Sequence, residues 1–87
     1  MGEKDYLRAF VFRGKNRLMI LKSLRKGEKT QAQLYHETGL YRSHVNRTLS
    51  ELEQRNLIKC LNPKDNRYKL YILTTKGKEL LKIIDNK

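Results

Sequence analysis

Five polar side chains recur on one side of a segment near the middle of this 87-residue chain. They are Ser43, Asn46, Arg47, Ser50 and Gln54. Arg and Asn can form paired hydrogen bonds with the edges of guanine and adenine, and Ser can add a shorter hydrogen bond. None of the five is a carboxylate, so nothing in the set repels a polyanion. The group is therefore a candidate for reading bases, with Arg47 and Asn46 as the principal readers.

The apolar residues of the same segment predict a helix over residues 42–55. Val45, Leu49 and Leu52 follow the spacing i, i+4, i+7, which at about 100° per residue puts them within about 60° of arc. The five polar residues span about 100° on the other side of that helix. Side chains and free amides in the first turn of such a helix can meet phosphates. The first turn here consists of Arg42, Ser43 and His44.

Further helices are predicted from capping residues and apolar spacing. Thr30 and Gln33 have the spacing of a capping box, which predicts a short helix over residues 31–38. Gly39 can adopt the left-handed conformation that ends such a helix. Apolar residues at helical spacing predict three more helices, over residues 4–12, 15–25 and 75–85.

A β-hairpin is predicted between the helix 42–55 and the last helix. Residues 57–61 and 68–73 are rich in β-branched, aromatic and aliphatic side chains, which favour strands. Asn62 and Pro63 suit the first two positions of a type I turn between the two strands. Together the strands and the turn form a wing over residues 57–73.

The tip of this hairpin, residues 62–67, is basic. Lys64 and Arg67 can lie over a phosphate backbone or reach a minor groove, whose negative potential attracts Arg. Asp65 stands between them, and three roles are open to it: bracing Arg67, capping the turn, or serving as an ordinary turn residue. The hairpin tip therefore offers a second set of phosphate contacts beside the helix 42–55.

The order of these elements is that of a winged helix-turn-helix, a mainly α fold with a small β-hairpin (α+β). Residues 1–87 are expected to form one domain, because a chain of this length cannot divide its core in two. Its 20 Lys and Arg against nine Asp and Glu give a net charge of +11. Such an excess of positive charge indicates a polyanionic partner, and double-stranded DNA is the one that fits a helix-turn-helix.

Three functional hypotheses follow from this combination. The first is a sequence-specific transcription regulator with the helix 42–55 in the major groove and the tip 62–67 on the backbone or in the minor groove. The second is a winged-helix module that binds protein within a transcription or replication assembly. The third, nonspecific packaging of nucleic acid, explains the charge but not the wing. The acid-free helix face favours the first, since a protein-binding face would more often expose aliphatic or acidic residues.

Five segments of the chain carry a resemblance to a known group of proteins: residues 14–24, 39–47, 49–58, 65–67 and 73–77. They resemble the winged-helix transcription regulators of the MarR and ArsR type, and most of all their short archaeal relatives. The Leu-Thr-Thr-Lys-Gly run at 73–77 is the most family-specific part. Tyr35 departs from the pattern, because these proteins usually have Ala there. The resemblance implies a dimeric, sequence-specific binder of duplex DNA.

A homodimer is also expected because one recognition helix reads only a few base pairs. The N-terminal segment, residues 1–13, is the candidate contact, helped by the last helix. Its apolar residues exceed what one helix needs to face a core. The candidate interface residues are Tyr6, Leu7, Phe10 and Val11, with Leu81 and Ile84. The alternative, that the first helix packs on its own protomer, stays open for each of them.

Other classes of function lack a signal in the sequence. Cys60, His36 and His44 do not have the spacing of metal ligands, so no metal, cofactor or small-molecule ligand is expected. Cys60 is expected to be a small core residue rather than a redox switch. No catalytic motif is present, and the longest apolar runs are far shorter than the roughly 20 residues of a membrane span. The protein is therefore expected to be a cytoplasmic non-enzyme.

Overall fold

A computed structural model describes residues 2–65 and 67–85, in which the chain forms five helices and three short strands. The helices are α1 (Glu3–Arg13), α2 (Lys15–Leu24), α3 (Gln31–Thr38), α4 (Arg42–Gln54) and α5 (Thr75–Asp85). The strands are β1 (Lys29–Thr30), β2 (Ile58–Cys60) and β3 (Leu70–Leu73). The winged helix-turn-helix prediction is confirmed, and every predicted helix end lies within one residue of the structural one. No helix in the described residues is long and apolar enough to span a membrane.

The turn between α3 and α4 forms as its capping residues predict. The Thr30 hydroxyl accepts a hydrogen bond from the Gln33 amide at 3.2 Å, and the Gln33 side chain accepts one from the Thr30 amide at 2.8 Å. Gly39 ends α3 with φ +72°, a left-handed conformation that glycine adopts without steric cost. This short turn fixes how α4 leaves α3.

The sheet differs from the predicted two-stranded hairpin. It has three strands in the order β1-β3-β2, and both neighbouring pairs are antiparallel. The added strand, β1, pairs Lys29 with Tyr71 and Thr30 with Leu70. Two residues are too few to show an alternating pattern, so β1 could not be recognised locally. The hairpin strands are also shorter than predicted, because pairing ends at Cys60 and begins again at Leu70.

One apolar core joins the helices to the sheet. Val45, Leu49 and Leu52 of α4 are each at most 1% exposed, which confirms the predicted inner face of the helix. Burial in the same core raises the pKa of the Tyr71 phenol on β3 to about 12. Cys60 is half-buried and packs against the core as expected.

The core also absorbs most of the residues predicted to form a dimer interface. Leu7, Phe10 and Val11 of α1 are at most 7% exposed, and Leu81 and Ile84 of α5 at most 8%. The interface prediction is therefore wrong for these five, since they pack within their own protomer. In a domain this small, both terminal helices are needed to cover the core. Among the predicted interface residues, Tyr6 remains exposed, at 56%.

The exit from the wing packs tightly against the end of α4. Thr74 caps α5 by accepting a hydrogen bond from the Gly77 amide at 3.0 Å, and its hydroxyl donates to the Asn56 carbonyl at 2.6 Å. Gly77 lies against the Leu57 carbonyl so closely that an added Cβ would overlap the oxygen and lie 3.1 Å from the carbon. The glycine of the Leu-Thr-Thr-Lys-Gly run is thus explained by this contact.

Candidate nucleic-acid interface

The outer face of α4 is exposed as the sequence predicts. Its members Ser43, Asn46, Arg47, Ser50 and Gln54 all lie on the surface. Arg47 makes no hydrogen bond to any residue that the structure describes, so its five N–H donors are available. The face therefore presents an unengaged guanidinium among short polar side chains.

Asn46 is held by two residues of α3. Its Oδ1 accepts one hydrogen bond from Gln31 Nε2 at 3.1 Å and another from the Tyr35 hydroxyl at 3.2 Å. The Arg42 guanidinium lies 5.4 Å from the centre of the Tyr35 ring. Tyr35, the residue that departs from the family pattern, therefore links α3 to the recognition helix. Sequence spacing gave no sign of this contact, because it crosses between helices.

The first turn of α4 is open to an anion. Arg42, Ser43 and His44 are exposed there, and the turn contains no acidic residue. Tyr41, just before the helix, is 77% exposed, and its ring meets the edge of the His44 ring with 5.8 Å between centroids. Amide groups at a helix N-terminus favour negative charge. This end of α4 can therefore accept a phosphate.

An ion pair fixes α4 to α2 just behind this surface. Arg17 donates through Nε and Nη2 to the two carboxylate oxygens of Glu51, each at 3.1 Å. The hydrogen bond from Arg17 lowers the pKa of the Glu51 carboxyl. The negative charge on the flank of α4 is thereby paired, so it does not oppose an approaching polyanion. Arg17 also donates to the Phe10 carbonyl, which extends the link to α1.

A second arginine fixes the C-terminal end of α4. The Arg55 guanidinium lies 4.1 Å from the centre of the Phe10 ring, and its Nη2 donates to the Tyr6 hydroxyl at 3.1 Å. Arg17 approaches the same ring at 3.9 Å. Cation–π contacts of this kind stabilise partly buried guanidinium groups. Both ends of α4 are thus anchored to neighbouring helices, which gives its outer face a defined orientation.

The N-terminus of α2 borders the outer face and was missed by the sequence reasoning. A cleft of about 260 Å³ separates the start of α2 from α4. Its lining includes Lys15 and Asn16 on one side and His44 and Arg47 on the other. The first turn of α2 has no acidic residue. A Lys-Asn pair directly after Gly14, at a predicted helix start, was the signal that could have identified these residues.

The wing loop is held by two polar side chains. Asp65 Oδ1 accepts hydrogen bonds from the amides of Arg67 and Tyr68, at 2.7 and 3.1 Å. These two bonds, that of Tyr68 foremost, lower the pKa of the Asp65 carboxyl. Asn62 accepts from the Leu70 amide at 2.7 Å and its own carbonyl accepts from the Asp65 amide at 3.0 Å. Of the roles considered for Asp65, the structure therefore supports capping of the turn.

The tip of the wing exposes its cations. Lys64 and Arg67 lie on the surface at either side of the Asp65 cap. Asn66, which also belongs to the predicted tip 62–67, lies outside the described residues. The loop thus presents two positive charges on a backbone that the Asn62 and Asp65 side chains constrain.

Comparison with known proteins places this geometry in a family. A family model described as winged helix-turn-helix matches residues 17–87. ZitR from Lactococcus lactis, solved as a mutant, superposes with a TM-score of 0.74 at 25% identity. MarR from E. coli, a mutant solved in complex with operator DNA, superposes with a TM-score of 0.70 at 25% identity. No curated protein sequence shows significant similarity to the chain.

The matches differ in how much of each protein they cover. The chain aligns over 83% of its own length but 50% of ZitR, and over 80% of its length but 51% of MarR. It therefore spans about half of these regulators. The reduced form of the transcriptional regulator YodB from B. subtilis superposes over 98% of this chain and 85% of its own, with a TM-score of 0.82 at 21% identity. At that identity the likeness concerns the fold alone.

Proposed function

Because this chain belongs to the winged helix-turn-helix family, we propose that it is a transcription regulator that binds double-stranded DNA sequence-specifically. In this proposal α4 enters the major groove, and the wing tip lies on the backbone or in the minor groove. The observation that carries the proposal is the outer face of α4, which is exposed, free of carboxylates and centred on an unengaged Arg47. The E. coli MarR structure with operator DNA supports the same use of the fold.

The site residues divide into two roles. Arg47 and Asn46, with the short side chains of Ser43 and Ser50, are proposed to contact base edges. A further group is proposed to contact phosphates, which position the protein without reading sequence. These residues are Arg42, His44, Lys64 and Arg67, to which the structure adds Lys15.

Arg47→Ala should abolish most of the sequence preference, because a bidentate Arg contact to guanine discriminates by ~1–3 kcal/mol. Lys64→Ala should weaken binding to all duplexes alike, because a phosphate contact carries no sequence information. Fluorescence anisotropy on a duplex selected from a random pool, and on a scrambled duplex, measures both effects. Lys82→Ala on α5 removes the same charge from an exposed site as a control. Equal losses for Arg47→Ala on both duplexes would contradict its role as a base reader.

We infer that the functional unit is a symmetric homodimer. Two half-sites supply the specificity that one recognition helix lacks, and a two-fold arrangement places recognition helices about 34 Å apart, or about 10 base pairs. With Leu7, Phe10 and Val11 buried, the best surface is the groove of about 310 Å³ where Phe12, Leu18 and Met19 meet. Phe12 is 48% exposed there.

Sedimentation equilibrium with the selected duplex should therefore give two protein chains per duplex. Phe12→Glu should shift the complex toward one chain per duplex, because a charge cannot be buried in an apolar interface without a partner. Tyr6→Glu places the same charge on an exposed side chain of α1 outside the groove and serves as the matched control. A single chain bound to an asymmetric site would refute the dimer and leave a monomeric binder.

A further inference from the structure

The carbonyl oxygen of the Asn46 side chain has no capacity left to accept a hydrogen bond. An amide oxygen has two lone pairs, and here Gln31 Nε2 and the Tyr35 hydroxyl take one each, at 3.1 and 3.2 Å. The Nδ2 group of Asn46 makes no hydrogen bond within the described part of the chain. Asn46 therefore faces outward with two free donors and an acceptor that is already occupied.

We propose that Gln31 and Tyr35 are positioning residues that make Asn46 a donor-only reader and so select guanine at its base position. This inference rests on the proposed function, since it specifies what the major-groove face of α4 recognises. It also assigns a task to two residues of α3 that do not lie on that face.

The selection follows from the hydrogen-bonding edges of the bases. Adenine pairs with a side-chain amide that donates to N7 and accepts from the N6 amino group, which requires a free carbonyl oxygen. Guanine presents two acceptors, N7 and O6, so it can take both N–H groups of a donor-only amide. Cytosine presents its own amino donor and offers Asn46 nothing to bind. An Asn46 whose oxygen is occupied therefore favours guanine over adenine, which reverses the usual preference of Asn.

The packing around Tyr35 keeps this arrangement in place. The Tyr35 ring is half-buried and packs against the core, so its hydroxyl has little freedom to move away from Asn46. The Arg42 guanidinium, 5.4 Å from the ring centre, covers another side of it. Gln31 is the first residue of α3, directly after the Thr30 cap, and is also half-buried. Releasing the Asn46 oxygen would break both hydrogen bonds at once, so adenine would gain one acceptor at the cost of two contacts.

The test first locates the base pair that Asn46 reads, as the one position where Asn46→Ala removes preference from a selected duplex. Guanine is expected there. Replacing it with 7-deazaguanine should weaken wild-type binding by about tenfold, because the N7 acceptor is lost. Inosine should leave binding unchanged, because it keeps N7 and O6 and lacks only the minor-groove amino group.

The positioning role is tested by removing the hydroxyl while keeping the ring. Tyr35→Phe combined with Gln31→Leu frees both lone pairs of Asn46, and the ratio of guanine to adenine affinity at that base pair should fall by about tenfold. A residue with only a structural role would change the affinity for all duplexes together and leave this ratio unchanged. Tyr68→Phe removes a tyrosine hydroxyl from the wing and is the matched control. Circular dichroism checks that the variants keep the fold.

The outcomes separate this inference from the proposed function. If the selected duplex has adenine at the Asn46 position, or if the double variant leaves the guanine-to-adenine ratio unchanged, donor-only reading is wrong while sequence-specific binding stands. If Asn46→Ala alters no position of a preferred duplex, the inference is likewise overturned. If selection yields no preferred duplex at all, the proposed function itself fails and the inference falls with it.

Discussion

Raising the salt concentration from roughly 50 to 200 mM should weaken duplex binding by a factor on the order of 10² to 10⁴. The reason is counterion release, since each phosphate that a cation neutralises frees a condensed ion. Contact with ~4–8 phosphates per protomer gives a log–log slope of roughly −4 to −7. In the described residues, four ion pairs engage Arg17, Arg25, Lys29 and Lys76. Most of the 20 Lys and Arg are therefore left to act on the DNA.

Anisotropy titrations at several salt concentrations give this slope directly. Lys64→Ala and Arg67→Ala should each make it shallower by about 1, because each removes one phosphate contact. Lys82→Ala, which changes the same charge on α5, should leave the slope as it is. A slope near zero would contradict phosphate binding altogether, and with it the role of the wing.

Gly77→Ala should reduce the free energy of unfolding by ~3 kcal/mol. The added methyl group would overlap the Leu57 carbonyl oxygen, which accepts the Thr74 amide at 3.1 Å and cannot move without disturbing the cap of α5. The loss opposes the intrinsic preference, because Ala is favoured over Gly inside a helix by up to about 1 kcal/mol. Urea denaturation followed by circular dichroism measures the change.

The size of this effect matters for a domain whose total stability is about 4–13 kcal/mol on the usual per-residue scale. Gly2→Ala is the matched control, since no atom lies within 4 Å of the methyl group added there, and it should change stability by less than ~0.5 kcal/mol. Unchanged stability of Gly77→Ala would mean that the wing exit and α5 can separate. In that case the Leu-Thr-Thr-Lys-Gly run would need another explanation.

The sequence alone determined the elements whose cause is local. Helix periodicity assigned α4 and its two faces, because Val45, Leu49 and Leu52 repeat at the spacing of one helix side. The capping box of α3 depends on Thr30 and Gln33, which are near neighbours in the chain, so its chemistry is readable without the fold. The exposed polar face of α4 and the basic wing tip followed from the same local reasoning.

The tertiary structure decided what depends on residues far apart in the chain. The pairing of β1 with β3 brings Lys29 to Tyr71, a contact that no local pattern encodes. Whether the apolar residues of α1 faced a partner or their own core depended on how much surface the other helices could cover. The occupied oxygen of Asn46 arose only when α3 placed Gln31 and Tyr35 beside it. Spacing along a chain predicts which side of a helix a residue occupies, whereas hydrogen-bond partners and steric clashes arise from packing between elements.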